Sequence, residues 1–314
     1  MRREGPPQPT DDIREQDGSR DMTRPLLLDL TGAPQDMVAL VMAMQVPDML
    51  NPIAVTTGGS GTQARHAADL ARTVLHRAGR PDIPVHAGSG LSLFPAPGAV
   101  MAQARAAGGE CEFPAPAIIR HVMAQPADSV SICCTGALTN VALALLQEPR
   151  LGAHLHGIVI LADAGGGAGR DRNIHADPEA AAIVLASGVP VTVLPRSCVV
   201  RVTADTIWME RLALLAGRGC VGGLAHQLLR DGGTADVPLA AAVAVISLLC
   251  PQLFGGRLAH LAVECRGELT RGMLVPDDGG PDNIAPNAFI LHGVNVDACR
   301  EVARDLLLHA AGMA

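Results

Sequence analysis

From residue 25 onward, short apolar runs alternate with segments of helical periodicity, and this alternation constrains the fold more than any other feature. Strands separated by helices predict a parallel sheet, because two parallel strands need a long crossover between them. The predicted strands are Leu26–Leu30, Pro52–Thr57, Val130–Cys134, Gly157–Leu161 and Val189–Leu194. The predicted helices include Met37–Met44, Gln63–Ala78, Pro116–Ala124, Thr139–Leu146, Pro178–Ser187 and Leu239–Leu249. The sequence therefore predicts an α/β fold with a doubly wound, mainly parallel sheet and helices on both faces.

The core must be built from aliphatic side chains, because 48% of the residues are hydrophobic and only 2% are aromatic. Residues 24–314 are long enough for one large domain, and no repeat or second domain is evident in them. Residues 1–23 are polar, charged and contain proline and glycine, so we expect a disordered tail there. This tail has no apolar stretch and is not expected to be a secretory signal.

Charge and cysteine content restrict the partners and the compartment. The net charge is −7, and all basic side chains other than histidine are arginine, without a long basic run. We therefore expect no binding to nucleic acid. No apolar run reaches the length of a membrane span, so no membrane association is expected. The eight cysteines are scattered without a CxxC pair, which indicates reduced thiols and a cytoplasmic protein.

The residues that follow the predicted strands are the first candidates for a ligand site. In doubly wound sheets, ligands bind in the crevice beyond the carboxyl ends of the strands. The segments at these positions are residues 30–36, 57–62, 135–140, 162–173 and 195–201.

Four segments resemble the inosine–uridine-preferring nucleoside hydrolase family. TGALTNVALALLQEPRL (135–151) is similar to the family's T-G-P-L-T-N-I-A stretch and the E-P-R after it. NIHADPEAAAIVL (173–185) resembles its N-I-x-x-D-P-E-A-A segment, and LAVECRGELTRGMLV (261–275) resembles its V-D-V-E-L-x-G-x-x-T-x-G-M strand pair. LLLDLTGAPQDMVAL (26–40) occupies the position of its D-x-D-P-G-x-D-D loop. The resemblance implies the family's fold, a small-molecule ligand, and a homodimer or homotetramer.

The resemblance also implies a chemistry based on calcium. Family members hold Ca²⁺ with first-loop carboxylates, a backbone carbonyl and a late Asp. A first-loop Asp takes a proton from the metal-bound water, and a His beside the late Asp helps the base to leave. Ca²⁺ takes about six to eight oxygen ligands, several of them charged.

Several of these positions are replaced in this chain. By the resemblance, Thr31 occupies the position of the first-loop ligand and base, and Gln35 that of the acid that holds a ribose hydroxyl. Asp36 remains as the second metal ligand, and Thr135 would supply the carbonyl. A Ca²⁺ site with one acid has too few charged ligands. We therefore expect no tight calcium binding and no other cofactor.

The late His-Asp pair depends on the alignment register. Unbroken spacing back from residues 250–254 matches VPLAAAVAV (237–245) to the family's V-P-L-H-D-P-x-A-V. Ala240 and Ala241 then occupy the His and Asp positions. A slipped register would place Asp236 there instead, but it needs an insertion in a helix. We favour the unbroken register.

Two acids are predicted to be catalytic, Asp36 and Asp163. Asp36 has a structural alternative, because an acid in the first turn of a helix is favoured by the helix dipole. Asp163 follows a predicted strand and faces the crevice, where it could replace the lost acids; its alternative is a solvated turn residue. Asp29 ends the first strand, and we interpret it as structural.

The predicted substrate-binding residues come from the first loop and from the segment after the fifth strand. By the resemblance, Asn173 matches an Asn that contacts ribose, and Asp171 lies near a Glu with a similar role. The full predicted set is Asn173, Asp171, Thr31, Gln35, Arg172 and His175. His175 has a second interpretation, as a packed histidine.

Arginines follow two of the predicted strands. Arg170 and Arg172 flank Asp171, and Arg196 and Arg201 follow the next strand. Guanidinium groups suit carboxylates and phosphates, so the pattern indicates an anionic ligand. A charged surface loop is the alternative.

Three functions remain open from the sequence. The first is a metal-independent enzyme with the fold retained and the reaction changed, acting on a riboside-like or anionic small molecule. The second is a non-catalytic binding or regulatory protein, a pseudoenzyme. The third is a Ca²⁺-dependent nucleoside N-ribohydrolase, which would require the slipped register.

Overall fold

The computed structural model describes residues 23–59, 62–88, 90–94, 114–163, 171–215, 221–231, 236–277 and 284–308. The predicted tail, apart from Thr23, and Arg170 lie outside these ranges. The strands are β1 (Arg24–Leu30), β2 (Leu50–Thr57), β3 (Val85–Ala87), β4 (Val130–Cys134), β5 (Leu155–Leu161), β6 (Val191–Leu194), β7 (Thr203–Ala204), β8 (Val237–Pro238), β9 (Phe254–Val263), β10 (Leu274–Asp277) and β11 (Ala288–Val294). The helices are α1 (Pro34–Ala43), α2 (Thr62–Arg77), α3 (Pro114–Met123), α4 (Thr139–Gln147), α5 (Arg172–Ala176), α6 (Pro178–Leu185), α7 (Arg196–Val199), α8 (Thr206–Leu215), α9 (Val221–Asp231), α10 (Ala240–Leu249) and α11 (Val296–Leu308).

Within these ranges, one nine-stranded sheet organises the protein, in the order β10-β9-β11-β6-β5-β4-β1-β2-β3. The strands from β3 to β11 in this order pair in parallel. β9 pairs antiparallel with β11 and with β10. A separate two-stranded ribbon joins β7 and β8. The predicted doubly wound, mainly parallel sheet is confirmed.

Apolar side chains on the two faces of the sheet form two separate clusters. β1 contributes to both, because Leu26, Leu28 and Leu30 belong to one cluster and Leu27 to the other. This alternation follows from the two-residue period of a strand. The first cluster contains residues of α1, α2 and α8 to α11, and the second contains residues of α3, α4 and α6. Helices therefore cover both faces, as the sequence predicts, and the core is almost wholly aliphatic.

All five predicted strands and all six predicted helices are present, with ends displaced by a few residues. The edge strand β10 ends with Pro276 and Asp277. Proline is tolerated there because β10 is an edge strand and lacks a neighbour on one side. Of the helices in the described ranges, none has both the length and the apolar character needed to span a membrane.

The order of the strands brings two loops together. β1 lies between β2, which follows it in the chain, and β4, which comes much later. This is a point at which the connections diverge and leave a crevice at the carboxyl ends of the strands. The loop after β1, with Thr31, consequently lies beside Thr135, which follows β4.

Gly32 allows the turn between β1 and α1. Its φ is +85°, and a Cβ atom there would lie 2.2 Å from the Cβ of Ala67 in α2. The residue therefore needs both a left-handed backbone and the absence of a side chain.

We expect Gly32→Ala to lower the free energy of unfolding more than Gly188→Ala does. Gly188 has a φ of +78°, but no atom lies within 4 Å of the added Cβ, so it is a matched control for the backbone cost. The clash at Gly32 should add about 1–3 kcal/mol. Urea denaturation measures both variants. Equal losses would mean that α2 moves away from the turn at little cost.

Candidate functional site

A cavity of about 530 Å³ opens beyond the carboxyl ends of β1, β4 and β5. Small-molecule sites usually enclose about 300–1,000 Å³. The lining residues are Thr31, Ala33, Gln35, Asp36, Thr135, Leu161, Arg172, Asn173, Arg196, Val200, Pro238, Ala240 and Ala241. Five of the eight predicted site residues meet here, namely Thr31, Gln35, Asp36, Arg172 and Asn173.

Asp36 lies in the first turn of α1 and is the one carboxylate among the described residues of this lining. Its Oδ2 accepts hydrogen bonds from Thr31 Oγ1 at 2.5 Å, Thr135 Oγ1 at 2.7 Å and Thr31 N at 3.0 Å. Burial raises the pKa of the Asp36 carboxyl above its usual value, although these hydrogen bonds and the charge of Arg196 act in the opposite direction. A carboxyl with a raised pKa can hold or take up a proton more readily than an exposed one.

Asn173 ties together two strand ends. Its Nδ2 donates to the carbonyl oxygens of Thr135 and Leu161, both at 2.8 Å. These residues end or follow β4 and β5. Since the two N–H groups of the amide are engaged, the amide oxygen is the polar atom left for a ligand.

Asp171 is buried and does not line the cavity. It caps α5, where its Oδ1 accepts hydrogen bonds from Asn173 N at 2.8 Å and Ile174 N at 3.0 Å. Its Oδ2 lies 3.5 Å from Nε of Arg196. The side chain predicted to bind substrate thus contacts two residues of the cavity wall, the backbone of Asn173 and the guanidinium group of Arg196.

Asp163 and His175 also lie outside the lining. Oδ1 of Asp163 accepts a hydrogen bond from Ser197 N at 2.9 Å, at the start of α7. The exposed His175 places Nδ1 3.0 Å from the carbonyl oxygen of Arg271. These contacts join Asp163 to α7 and His175 to the backbone of Arg271. Direct roles of both side chains in catalysis or binding remain predictions.

The first residues of α10 are those that the unbroken register matches to the late His-Asp pair. Ala240 and Ala241 line the cavity, whereas Asp236 is exposed and is not part of the lining. This placement agrees with the unbroken register.

Asp29 is buried in β1 and does not reach the cavity lining. Its Oδ1 accepts hydrogen bonds from Thr56 Oγ1 at 2.6 Å and Asn140 Nδ2 at 2.8 Å. Burial raises the pKa of this carboxyl, and the two hydrogen bonds oppose the shift. These contacts join β1 to β2 and α4, in keeping with the expected structural role.

Some lining residues were not identified from the sequence. The Thr135 hydroxyl was missed because the resemblance drew attention to the carbonyl of that residue. Val200 and Pro238 were missed because β7 and β8, beside them, have two residues each and give no periodic signal. A hydroxyl directly after a buried strand was the signal available for Thr135. Arg201 is exposed and is not among the lining residues.

The geometry defines a small-molecule cavity at the carboxyl edge of a doubly wound sheet. A family model described as inosine-uridine preferring nucleoside hydrolase matches residues 26–301. The pyrimidine-specific ribonucleoside hydrolase RihA of Shewanella oneidensis is 31% identical over 322 residues, covering 92% of this chain and 96% of the relative. An uncharacterized protein of Schizosaccharomyces pombe is 30% identical, covering 88% and 96% of the two chains.

Solved structures agree at the level of the fold. The purine-preferring ribonucleoside hydrolase from Gardnerella vaginalis superposes with a TM-score of 0.76 at 20% identity, covering 93% of this chain and 100% of the other. An inosine-uridine preferring nucleoside hydrolase from Bacillus anthracis gives 0.77 at 18% identity, covering 91% and 100%. This chain belongs to the inosine-uridine preferring nucleoside hydrolase family.

The raised pKa of Asp36 predicts a pH-dependent effect of Asp36→Asn. Below the unfolded pKa, near 3.8, both states are protonated. As pH rises, the unfolded chain ionises first, so the carboxyl destabilises the folded state increasingly until its folded pKa is passed. The stability of the wild type relative to Asp36→Asn should therefore fall as the pH is raised above 4. Urea denaturation of both proteins at a series of pH values tests this. A stability difference that does not change with pH would contradict it.

Proposed function

We propose that this protein is a divergent nucleoside hydrolase-like enzyme that acts without calcium on a riboside-like or anionic small molecule. The observation that carries the proposal is the charge of the cavity, where one buried carboxylate, Asp36, is accompanied by two guanidinium groups, Arg172 and Arg196. A site for a divalent cation requires the opposite balance.

The other polar groups of the cavity do not fit a calcium ion. Oδ2 of Asp36 already accepts three hydrogen bonds, and the carbonyl oxygen of Thr135 accepts one from Asn173. At the late pair, Ala240 and Ala241 offer no side-chain oxygen. Among the residues that the structure describes, no group of three or more His, Cys, Asp or Glu side chains is arranged to hold a metal ion. Calcium takes about six to eight oxygens.

The residues of the cavity suffice to bind and protonate a polar substrate. The amide oxygen of Asn173 and the side chain of Gln35 can bind hydroxyl groups of a sugar. Asp36 is the acid that the geometry favours for proton transfer, because it lines the cavity and burial raises its pKa. Asp163, the other predicted catalytic acid, would first have to leave the N–H group of Ser197.

A second candidate is a calcium-dependent ribonucleoside hydrolase. It is favoured by the near full-length match to proteins named pyrimidine-specific ribonucleoside hydrolase, at 30–31% identity. This function needs acids that the lining does not offer, so a reaction of this kind would require a rearranged site. A non-catalytic binding protein would use the same cavity without turnover.

Release of reducing sugar from a panel of purine and pyrimidine nucleosides, measured with Ca²⁺ and again with EDTA, separates these functions. We expect the rate of any cleavage to be the same in both buffers, because the proposed reaction does not use calcium. Activity that EDTA abolishes would establish the second candidate and overturn the first. No release in either buffer, followed by no release from phosphorylated ribosides, would favour the binding protein.

Replacing the two candidate acids separates their roles. On whichever riboside is cleaved, Asp36→Asn should lower kcat by about 10²–10⁴-fold, as expected for loss of general acid-base catalysis. Asp163→Asn is the matched control, since its carboxylate bonds the backbone of Ser197 outside the cavity lining. If Asp163→Asn alone lost that activity while its unfolding curve stayed unchanged, Asp163 would be the catalytic acid.

We extend the proposal to the partner and the location. The ligand is a small molecule, as for the family, and the protein is proposed to act in the cytoplasm as a homodimer or homotetramer. Size-exclusion chromatography with light scattering would determine the oligomeric state.

A further inference from the structure

The described lining of the cavity has more basic than acidic side chains, although the protein is acidic. The net charge of the chain is −7, yet the ionisable side chains among the described lining residues are one aspartate and two arginines. We propose that Arg172 and Arg196 bind the phosphate group of a phosphorylated ribose-like sugar. This inference rests on the proposed function, because it assigns a substrate class to the same cavity.

Arg196 forms an ion pair with Asp171. Its Nε is buried without a hydrogen bond and lies 3.5 Å from Oδ2 of Asp171, a side chain that is 1% exposed. The Arg196 side chain as a whole is 38% exposed and lines the cavity. A guanidinium group can bind a phosphate through its two terminal nitrogens while its Nε faces a carboxylate.

Arg172 supplies a second cation from a neighbouring element. It is the first residue of α5, is exposed, and lines the same cavity as Arg196. Within the described part of the chain, no carboxylate forms an ion pair with it. Two guanidinium groups that line one cavity match a phosphate monoester, which carries two negative charges, better than they match a ligand with a single carboxylate.

The start of α10 adds to the positive potential of the cavity wall. Ala240 and Ala241, the first residues of this ten-residue helix, line the cavity, and its N-cap residue, Leu239, has no side-chain hydrogen bond to the helix. The N–H groups at a helix start favour anions. In the family pattern a histidine and an acid are expected here, and the alanines leave this helix end open to the ligand.

The remainder of the cavity suits a sugar. Gln35, Asn173 and the buried Asp36 provide hydrogen-bonding groups for hydroxyls. A neutral nucleoside would leave Arg172 without a counter-charge, whereas a sugar phosphate would provide one. The volume of about 530 Å³ accommodates a ligand of this size.

Calorimetric titration of ribose 5-phosphate, ribose and inorganic phosphate into the wild-type protein tests the proposal. We expect ribose 5-phosphate to bind at least about tenfold more tightly than either component, because charge-assisted hydrogen bonds add to those of the sugar. Equal affinity for ribose and ribose 5-phosphate would overturn the phosphate site. Equal affinity for inorganic phosphate would overturn the sugar site. Failure of ribose 5-phosphate to bind would overturn both.

The arginine variants locate the site. Arg172→Ala should weaken the binding of ribose 5-phosphate about tenfold or more and leave the affinity for ribose unchanged. Arg211→Ala is the control, since Arg211 is an exposed arginine of α8 outside the lining. Arg196→Ala removes the partner of a buried carboxylate and can unfold the site, so Arg196→Lys is measured beside it and should retain part of the affinity. An unchanged affinity in Arg172→Ala would overturn the proposal.

The inference and the proposed function fail in different ways. Tight binding of ribose 5-phosphate that depends on Arg172, in a protein that cleaves no riboside, would support the phosphate site and overturn the proposed enzymatic function. Calcium-independent cleavage of nucleosides by a protein that does not bind ribose 5-phosphate would support the enzymatic function and overturn the phosphate site.

Discussion

The buried carboxylate of Asp36 is the constraint on which the site depends. A buried acid must receive hydrogen bonds. Here the donors are Thr31, in the loop after β1, and Thr135, which follows β4 and is distant in sequence. Meeting this requirement fixes the loop after β1 against the end of β4. The cavity is the space that remains beyond that contact. The shape of the site therefore follows from satisfying one side chain.

Much of the fold was predictable from the sequence, since the buried strands read as apolar runs and the helices have their own periodicity. Both signals are strong here because the core is aliphatic, and the alternation in β1 then assigned side chains to the two faces. The shortest strands, such as β3, were not predictable. Three residues carry too little pattern to stand out from a loop.

The candidate site was predictable only in part. The strand ends indicated the segments that contain Thr31, Gln35, Asp36, Arg172 and Asn173, because position in an α/β sheet determines proximity to the crevice. The family resemblance then singled out individual residues in these segments. The directions of Asp163 and Asp171 were not predictable. An acid after a strand can face a ligand or cap the next helix, and both arrangements have the same sequence. The comparisons determine the family, but the substrate has to be inferred from the residues of the site, since fold alone does not determine function.

Asp171 has a consequence that extends beyond its own contacts. One carboxylate both caps α5 and forms an ion pair with Arg196. Asn173, the second residue of that helix, donates hydrogen bonds to carbonyl oxygens at the ends of β4 and β5. A ligand that binds Arg196 therefore also affects the Asp171 carboxylate, which caps the helix. Occupancy of the cavity and local order of this segment are thermodynamically linked, and a bound anion would slow amide exchange at α5 before it altered the sheet.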